Sequence, residues 1–356
     1  MDKKHRLLVI NVGSTSTKVA YFRDTEPESI ENIRYHSEDL ADYPTLTAQL
    51  PLREMDVMTF LRKNMINLKD IDMVVSRGGL GKPAPAGAYG IDESMCGDLL
   101  AGKYGKHPSA LGPAMALSIS KQFGMPAIVI DPPSTDEFEP LARISGLPEI
   151  ERKSAFHALN QKIAARKFAL AEGKKYEEIN VVVAHLGGGI TIGAHRQGRV
   201  IDCTHGLGEG PLTPERSGTL PTNDLIDLAF SGKLDKEHMQ GRLVGQGGLA
   251  AYLDTTDAEQ VEAMITRGDE KAGLVFAAMA YQIAKDIGAM SVVLKGKMDG
   301  IILTGGLAHS ERLTTLIAER VRFLAPVAVY PGEDELAALA AGGLRVLVGE
   351  EGIKEY

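Results

Sequence analysis

Residues Val9 to Lys18 read VINVGSTSTK. The apolar run Leu7-Leu8-Val9-Ile10 suits a buried strand, and it breaks into Asn11, Gly13 and the hydroxyl-rich stretch Ser14 to Thr17, closed by Lys18. A tight turn of this kind gathers backbone N–H groups and hydroxyls into one concavity, and glycine lets the backbone approach an anion closely. Taken alone, the stretch reads equally well as a polar β-turn.

Two further stretches repeat the pattern. Val181 to Ala184 runs into His185-Leu186-Gly187-Gly188-Gly189, and Ile301 to Leu303 runs into Thr304-Gly305-Gly306-Leu307. Three successive glycines after a strand are unfavourable in chain entropy unless something must approach the backbone. The third loop leads toward a helix with Ser310 near its start, a suitable place for a phosphate or ribose. Three such loops predict a nucleotide site. No GxxxxGK[ST] and no GxGxxG after a strand occurs, so neither a Walker-type nor a dinucleotide fold is expected.

Apolar runs of strand length alternate with helical periods, which predicts an α/β protein. Helices are expected over 113–123, ending at Gly124, over 154–171 with Ser154 as N-cap and Phe156, Leu159, Ile163 and Leu170 on one stripe, over 274–287, and near 336–348. A strand at 127–130 would end at Asp131. The stretches after Ile10 and Ala184 both continue as hairpins, so the halves of the chain read as versions of one unit with a nucleotide cleft between them. The expected domains are 1–153 with 334–356, and 154–333.

At 356 residues with 44% hydrophobic and 24% charged content, the chain is long enough for two cores. Its net charge of −8 and a single basic run, Lys3-Lys4-His5-Arg6, argue against a nucleic-acid partner. No charge-free apolar stretch approaches the roughly 18 residues of a membrane span, and no leader pattern precedes the first strand, so a cytoplasmic location is expected. Cys96 and Cys203 have no metal-site or disulfide spacing.

The loop Asn11-x-Gly13-Ser14-Thr15-Ser16-x-Lys18 resembles the first phosphate loop of the superfamily of acetate and sugar kinases, heat-shock chaperones and actin. His185 to Gly189 resembles its second phosphate loop, and Gly305-Gly306-Leu307 its adenosine loop. Asn11, where sugar kinases and chaperones carry Asp, is a trait of the acetokinase family. The strings Ser76-Arg77-Gly78-Gly79-Leu80, His107-Pro108-Ser109, Ala155-Phe156-His157, Asp202-Cys203-Thr204-His205-Gly206-Leu207 and Pro214-Glu215-Arg216-Ser217-Gly218 resemble the butyrate kinases of that family in order and spacing. Gly188 replaces the Asn usual in acetate kinases. The likeness runs from Leu7 to about Leu344.

The resemblance implies two ribonuclease-H-like domains and reversible transfer of a phosphoryl group from ATP to butyrate or a similar short acid. Arg77 and Arg216 would flank the transferring group, since guanidinium binds phosphate or carboxylate bidentately. Asn11, Ser14, Thr15, Ser16 and Lys18 would serve the first loop, and His185 would order the second. A carboxylate is already ionised at neutral pH and needs no general base, so His157 would act as a donor. His107 would steady the acyl phosphate and Phe156 would wall the acyl pocket. Mg2+ would sit on Asp131 and Glu335, with Glu333 the alternative to Glu335. A homodimer or larger homo-oligomer is implied. The competing readings are an acetate, propionate or branched-chain acid kinase, and more distantly a non-metabolic ATPase of the superfamily.

Overall fold

The computed structural model describes residues 4–43 and 45–356, so Lys3 of the basic run lies outside the described residues. Contacts divide the chain into two units. One extends to Thr135 and resumes over Asp334–Tyr356; the other is Asp136–Glu333.

The first unit holds β1 (Arg6–Val12), β2 (Ser16–Arg23), β3 (Glu26–Arg34), β4 (Met73–Ser76), β5 (Ala88–Gly90), β6 (Ala127–Ile130) and β12 (Ile353–Lys354). They form one sheet in the order β12-β5-β6-β4-β1-β2-β3. β1 and β2 make the expected hairpin, pairing Ile10 with Val19 and Asn11 with Lys18, while β4 and β6 run parallel to β1. Leu7 to Ile10 are fully buried because helices cover the sheet. Helix Glu335–Leu347 lies close on it: a Cβ on Gly343 would come within 2.5 Å of Leu7, and one on Gly342 within 2.7 Å of Ile130. This close seating holds Glu335, the first residue of the helix, near the end of β1.

The second unit repeats the core of that order. β7 (Asn180–Leu186), β8 (Ile190–Arg196), β9 (Arg199–Cys203), β10 (Gly300–Gly305) and β11 (Val327–Pro331) lie as β11-β10-β7-β8-β9. β7, β8 and β9 are antiparallel neighbours, and β10 and β11 run parallel to β7. In both units the first three strands form a meander and two later strands, β4 and β6 or β10 and β11, join parallel to the first. The chain is therefore an α/β protein of two ribonuclease-H-like units. Helix Glu270–Val293 buries Val275, Met279, Ile283 and Ile287 at the expected four-residue spacing, and helix Leu111–Phe123 stops at Gly124 with φ 84°.

Two expectations differ from the structure. The helix read as 154–171 spans Ala158–Ala171, with His157 rather than Ser154 at its N-cap. Of the expected stripe Phe156 and Leu159 are buried, but Leu170 is 79% exposed, and the buried face also carries Gln161, Lys162, Ala165 and Phe168. The stripe holds only in part because these turns also bury polar groups that find partners, which a hydrophobic period cannot register. Residues 136–153 cluster with the second unit, whereas the sequence places the boundary after 153. Glu139 N–H bonds Ile201 O at 3.0 Å, Arg152 pairs with Asp202 at 3.0 Å and Glu209 at 2.9 Å, and Glu137 pairs with Lys162 at 2.9 Å.

Candidate active site

In the first unit, β1 delivers Asn11 and the loop after it exposes Ser14 and Thr15, with Ser16 half-buried and Lys18 exposed on β2. Gly13 N–H bonds Ser16 O at 2.8 Å, closing the turn. Beneath it lies Arg53, from helix Leu50–Lys63, whose side chain is fully buried. Its guanidinium donates to Gly13 O at 3.2 Å, Ser14 O at 3.0 Å, Ser16 O at 2.9 Å and Thr17 Oγ1 at 3.0 Å. With the loop carbonyls held from below, the loop is fixed without using its hydroxyls. The sequence reading missed Arg53. The available signal was a charge on the stripe Arg53, Val57, Phe60, Leu61, where a helix otherwise buries apolar groups.

Asn11 Nδ2 donates to Glu335 Oε2 at 2.5 Å, and Arg77 Nη2 lies 3.2 Å from Glu335 Oε1. His107 caps a short turn through Nδ1, 2.8 Å from Ser109 Oγ, and burial, aided by the charge of Arg77, lowers its pKa below the usual histidine value. The structure thus brings Asn11, Arg77 and Glu335 together and sets His107 within electrostatic reach of Arg77. Asp131 follows β6 with φ 41°, is 6% exposed, and accepts the Gly87 N–H at 2.8 Å.

The second unit concentrates the remaining residues. His157 and His185 stack with ring centroids 4.0 Å apart and planes inclined by 26°. His157 Nδ1 lies 2.9 Å from Thr191 Oγ1, and His185 Nε2 lies 3.0 Å from Glu333 Oε1. His185 Nδ1 is buried with no hydrogen-bond partner among the described residues. The triple glycine makes room for side chains: a Cβ on Gly187 would stand 3.3 Å from Glu333, one on Gly188 3.6 Å from Glu215, and one on Gly189 2.2 Å from Arg216 Nη1. Arg216 therefore lies across Gly189. It also donates to Gly206 O at 2.5 Å, and burial lowers its pKa. Thr213 ties the pieces together, donating to Gly188 O at 2.6 Å and accepting the Arg216 N–H at 3.0 Å.

The third loop begins at Gly305, where a φ of 92° and the 2.3 Å at which a Cβ would stand from Leu186 O admit only glycine. Gly306 is exposed and Leu307 half-buried in a short turn leading to Ser310, which caps helix Glu311–Val321 by accepting from Leu313 N–H at 2.9 Å. Phe156 packs into a cluster with Phe138, Ala142, Ala158, Val200 and Cys203.

Among the described residues no three His, Cys, Asp or Glu side chains form a metal cage. Magnesium asks for less, one or two carboxylates beside water and phosphate. Glu335 fits: each oxygen makes one short contact and keeps a lone pair. Asp131 and Glu333 fit less well, the first being buried and bonded to Gly87 and the second paired with His185. No described helix is long and apolar enough to cross a membrane.

Comparison with known proteins follows the same lines. The chain is similar over 96% of its length to the whole of the acetate kinase of Porphyromonas gingivalis, with a TM-score of 0.78 and 16% identity. A propionate kinase of Francisella tularensis matches with a TM-score of 0.75 and 17% identity, covering 95% of this chain and 98% of that one. The acetate kinase of Entamoeba histolytica gives 0.75 and 19% over the same shares. At these identities the likeness is one of fold. The acetokinase family itself matches residues 149–335, the segment carrying His157, the triple glycine, Arg216 and Gly305 to Leu307. The chain belongs to the acetokinase family.

Proposed function

We propose that this protein is a reversible short-chain carboxylate kinase, with butyrate as the acceptor. A carboxylate oxygen attacks the γ-phosphorus of ATP, the bond from that phosphorus to the β–γ bridging oxygen breaks, and ADP and an acyl phosphate leave. Such a transfer asks the protein for positioning and positive charge rather than covalent chemistry. The observation that carries the reading is the Arg216 guanidinium lying across Gly189 of a loop without side chains, beside the His157–His185 stack. In this reading Arg216 and His157 donate to the transferring phosphoryl oxygens, and Arg77 supplies a further positive charge. Asn11 and the hydroxyls of Ser14 to Ser16 meet nucleotide phosphate, and Gly305 to Leu307 receive adenosine. His107 steadies the acyl phosphate.

Bound magnesium would neutralise phosphate charge, and Glu335 would be the carboxylate that holds it. Arg77 and Asn11 orient that carboxylate. The butyrate assignment is carried by the Arg77-Gly78-Gly79 string and by Gly188; acetate, propionate and branched acids are its competitors, because a methylene in an apolar pocket discriminates by only about 1–3 kcal/mol. A cytoplasmic homodimer or larger homo-oligomer belongs to the same reading, and light scattering of the purified protein tests the assembly.

The test is hydroxylamine trapping of acyl phosphate, offering ATP, Mg2+ and acetate, propionate, butyrate, isobutyrate or valerate in parallel. Preference for butyrate supports the assignment, and preference for another acid replaces butyrate with it. No hydroxamate from any acid, with ATP still hydrolysed, would transfer the chain to the non-metabolic ATPases.

A further inference from the structure

A row of buried polar side chains runs behind His157, and every proton in it has one place to go. Thr191, Gly193 and His195 alternate along β8 and so face the same way, toward helix Ala158–Ala171, where Gln161 stands four residues after His157. Gln161 Nε2 lies 3.0 Å from the Thr191 carbonyl oxygen and 2.9 Å from Thr191 Oγ1. A carbonyl only accepts, so the amide nitrogen must be on that side and Oε1 must face His195 Nε2 at 3.0 Å. Oε1 also only accepts, so His195 carries its proton on Nε2. His195 is fully buried, and burial holds its pKa well below the usual value. Its Nδ1 is then an acceptor, and the Tyr176 hydroxyl donates to it at 2.7 Å.

The same logic runs the other way. Thr191 Oγ1 accepts from Gln161 Nε2 at 2.9 Å and from the His157 backbone N–H at 3.4 Å, which occupies both lone pairs, so its own hydrogen is directed to His157 Nδ1 at 2.9 Å. Gly193 is part of the arrangement, since a Cβ there would stand 2.4 Å from Gln161 Oε1. The charged pair Lys162–Glu137 and Arg166 flank the far end: Lys162 Nζ lies 5.4 Å and the Arg166 guanidinium 5.0 Å from the Tyr176 ring centre, while His185 covers the His157 ring.

We propose that Thr191 and Gln161, backed by His195 and Tyr176, are positioning residues that lock His157 in its neutral Nε2–H tautomer and so make Nε2 the donor to the transferring phosphoryl group. The donor role rests on the carboxylate-kinase reading; the tautomer does not. A histidine that must donate without acting as a base gains from such a lock, because an imidazole with its proton on Nδ1 would offer the phosphate a lone pair instead. Every member is satisfied, and a fully satisfied buried network fixes orientation as well as stability.

The experiment is long-range 1H–15N correlation spectroscopy on the full chain with 15N-labelled imidazoles at about pH 7.5, where an unperturbed histidine is neutral. His157 is assigned by difference against His157→Gln. Wild-type His157 should show the Nε2–H pattern. Thr191→Val should abolish the single tautomer and Thr191→Ser restore it. Gln161→Glu, which can accept the threonine hydrogen, should move the His157 proton to Nδ1 or leave the ring charged. In the hydroxamate assay Thr191→Val and Gln161→Glu should lower kcat about tenfold or more with the KM for ATP changed less than about twofold, while Thr191→Ser stays near wild type. Wild-type His157 found with its proton on Nδ1, or Thr191→Val retaining both tautomer and turnover, overturns the lock. A wild-type protein that makes no hydroxamate overturns the kinase reading and leaves the tautomer result to be judged by itself.

Discussion

The loops after β1 and β7 occupy equivalent places in one strand order and are built in opposite ways. The first is rich in side chains. Its hydroxyls at Ser14 to Ser16 stay available because buried Arg53 holds the carbonyls of Gly13, Ser14 and Ser16 from below. The second has no side chains of its own over Gly187 to Gly189, and a distant arginine lies across it. One loop carries its donors and needs a foundation; the other borrows its donors and needs empty space. A duplicated framework therefore fixes where a site sits without fixing how it is made.

The sharpest way to break this contrast is Arg216→Ala. On the proposed reading this removes a donor to the transition-state charge and should lower turnover by about 10²- to 10³-fold. Thermal unfolding should remain near wild type, and near-normal turnover would remove Arg216 from the site. Gly189→Ala tests the empty space directly. Its methyl would displace the Arg216 guanidinium, and misplacement of about 1 Å costs on the order of 10²-fold in rate. The same substitution at Gly13 meets nothing nearer than Ser16 Oγ at 3.2 Å and should be far milder.

Arg53→Met tests the foundation. It leaves loop carbonyls unpaired in a buried place and should lower unfolding free energy by about 3 kcal/mol in urea titrations, with a rise in the KM for ATP. Unchanged stability would mean that the first loop holds itself. The smallest expected effect separates the units by pH. His107 in the first unit and His195 in the second both have lowered pKa values, so below the unfolded value of about 6.5 the unfolded chain binds more protons and stability falls as pH falls. Urea midpoints between pH 7 and 5 should drop, and His107→Asn should flatten only a minor part of the slope. A larger share for His107 would reverse the ranking by burial.

Much of this is legible in the sequence. Strands at Leu7, Val181 and Ile301, the two hairpins and the helix carrying Val275, Met279, Ile283 and Ile287 all follow from apolar period, because backbone periodicity and burial are local consequences of residue order. The glycines of the second loop announced a close approach but not what approaches. Arg53, Gln161, Thr191 and His195 left fainter marks: an arginine inside an apolar stripe, a glutamine four residues after a histidine, and a strand that alternates Thr, Gly and His. Each is polar where an apolar residue belongs, and such a residue is explained only when its partner is known.

By itself the sequence determined the class of fold, the duplicated unit, the three loops and the family-like strings, since these depend on neighbours along the chain. Tertiary structure alone decided that Glu335 takes Asn11 and Arg77, residues 324 and 258 positions away in the chain. It decided likewise that Arg216 covers Gly189 and that His157 leans on Thr191. Hydrogen-bond direction and close packing are properties of atoms brought within about 3 Å, and no spacing along the chain can specify which atoms those will be.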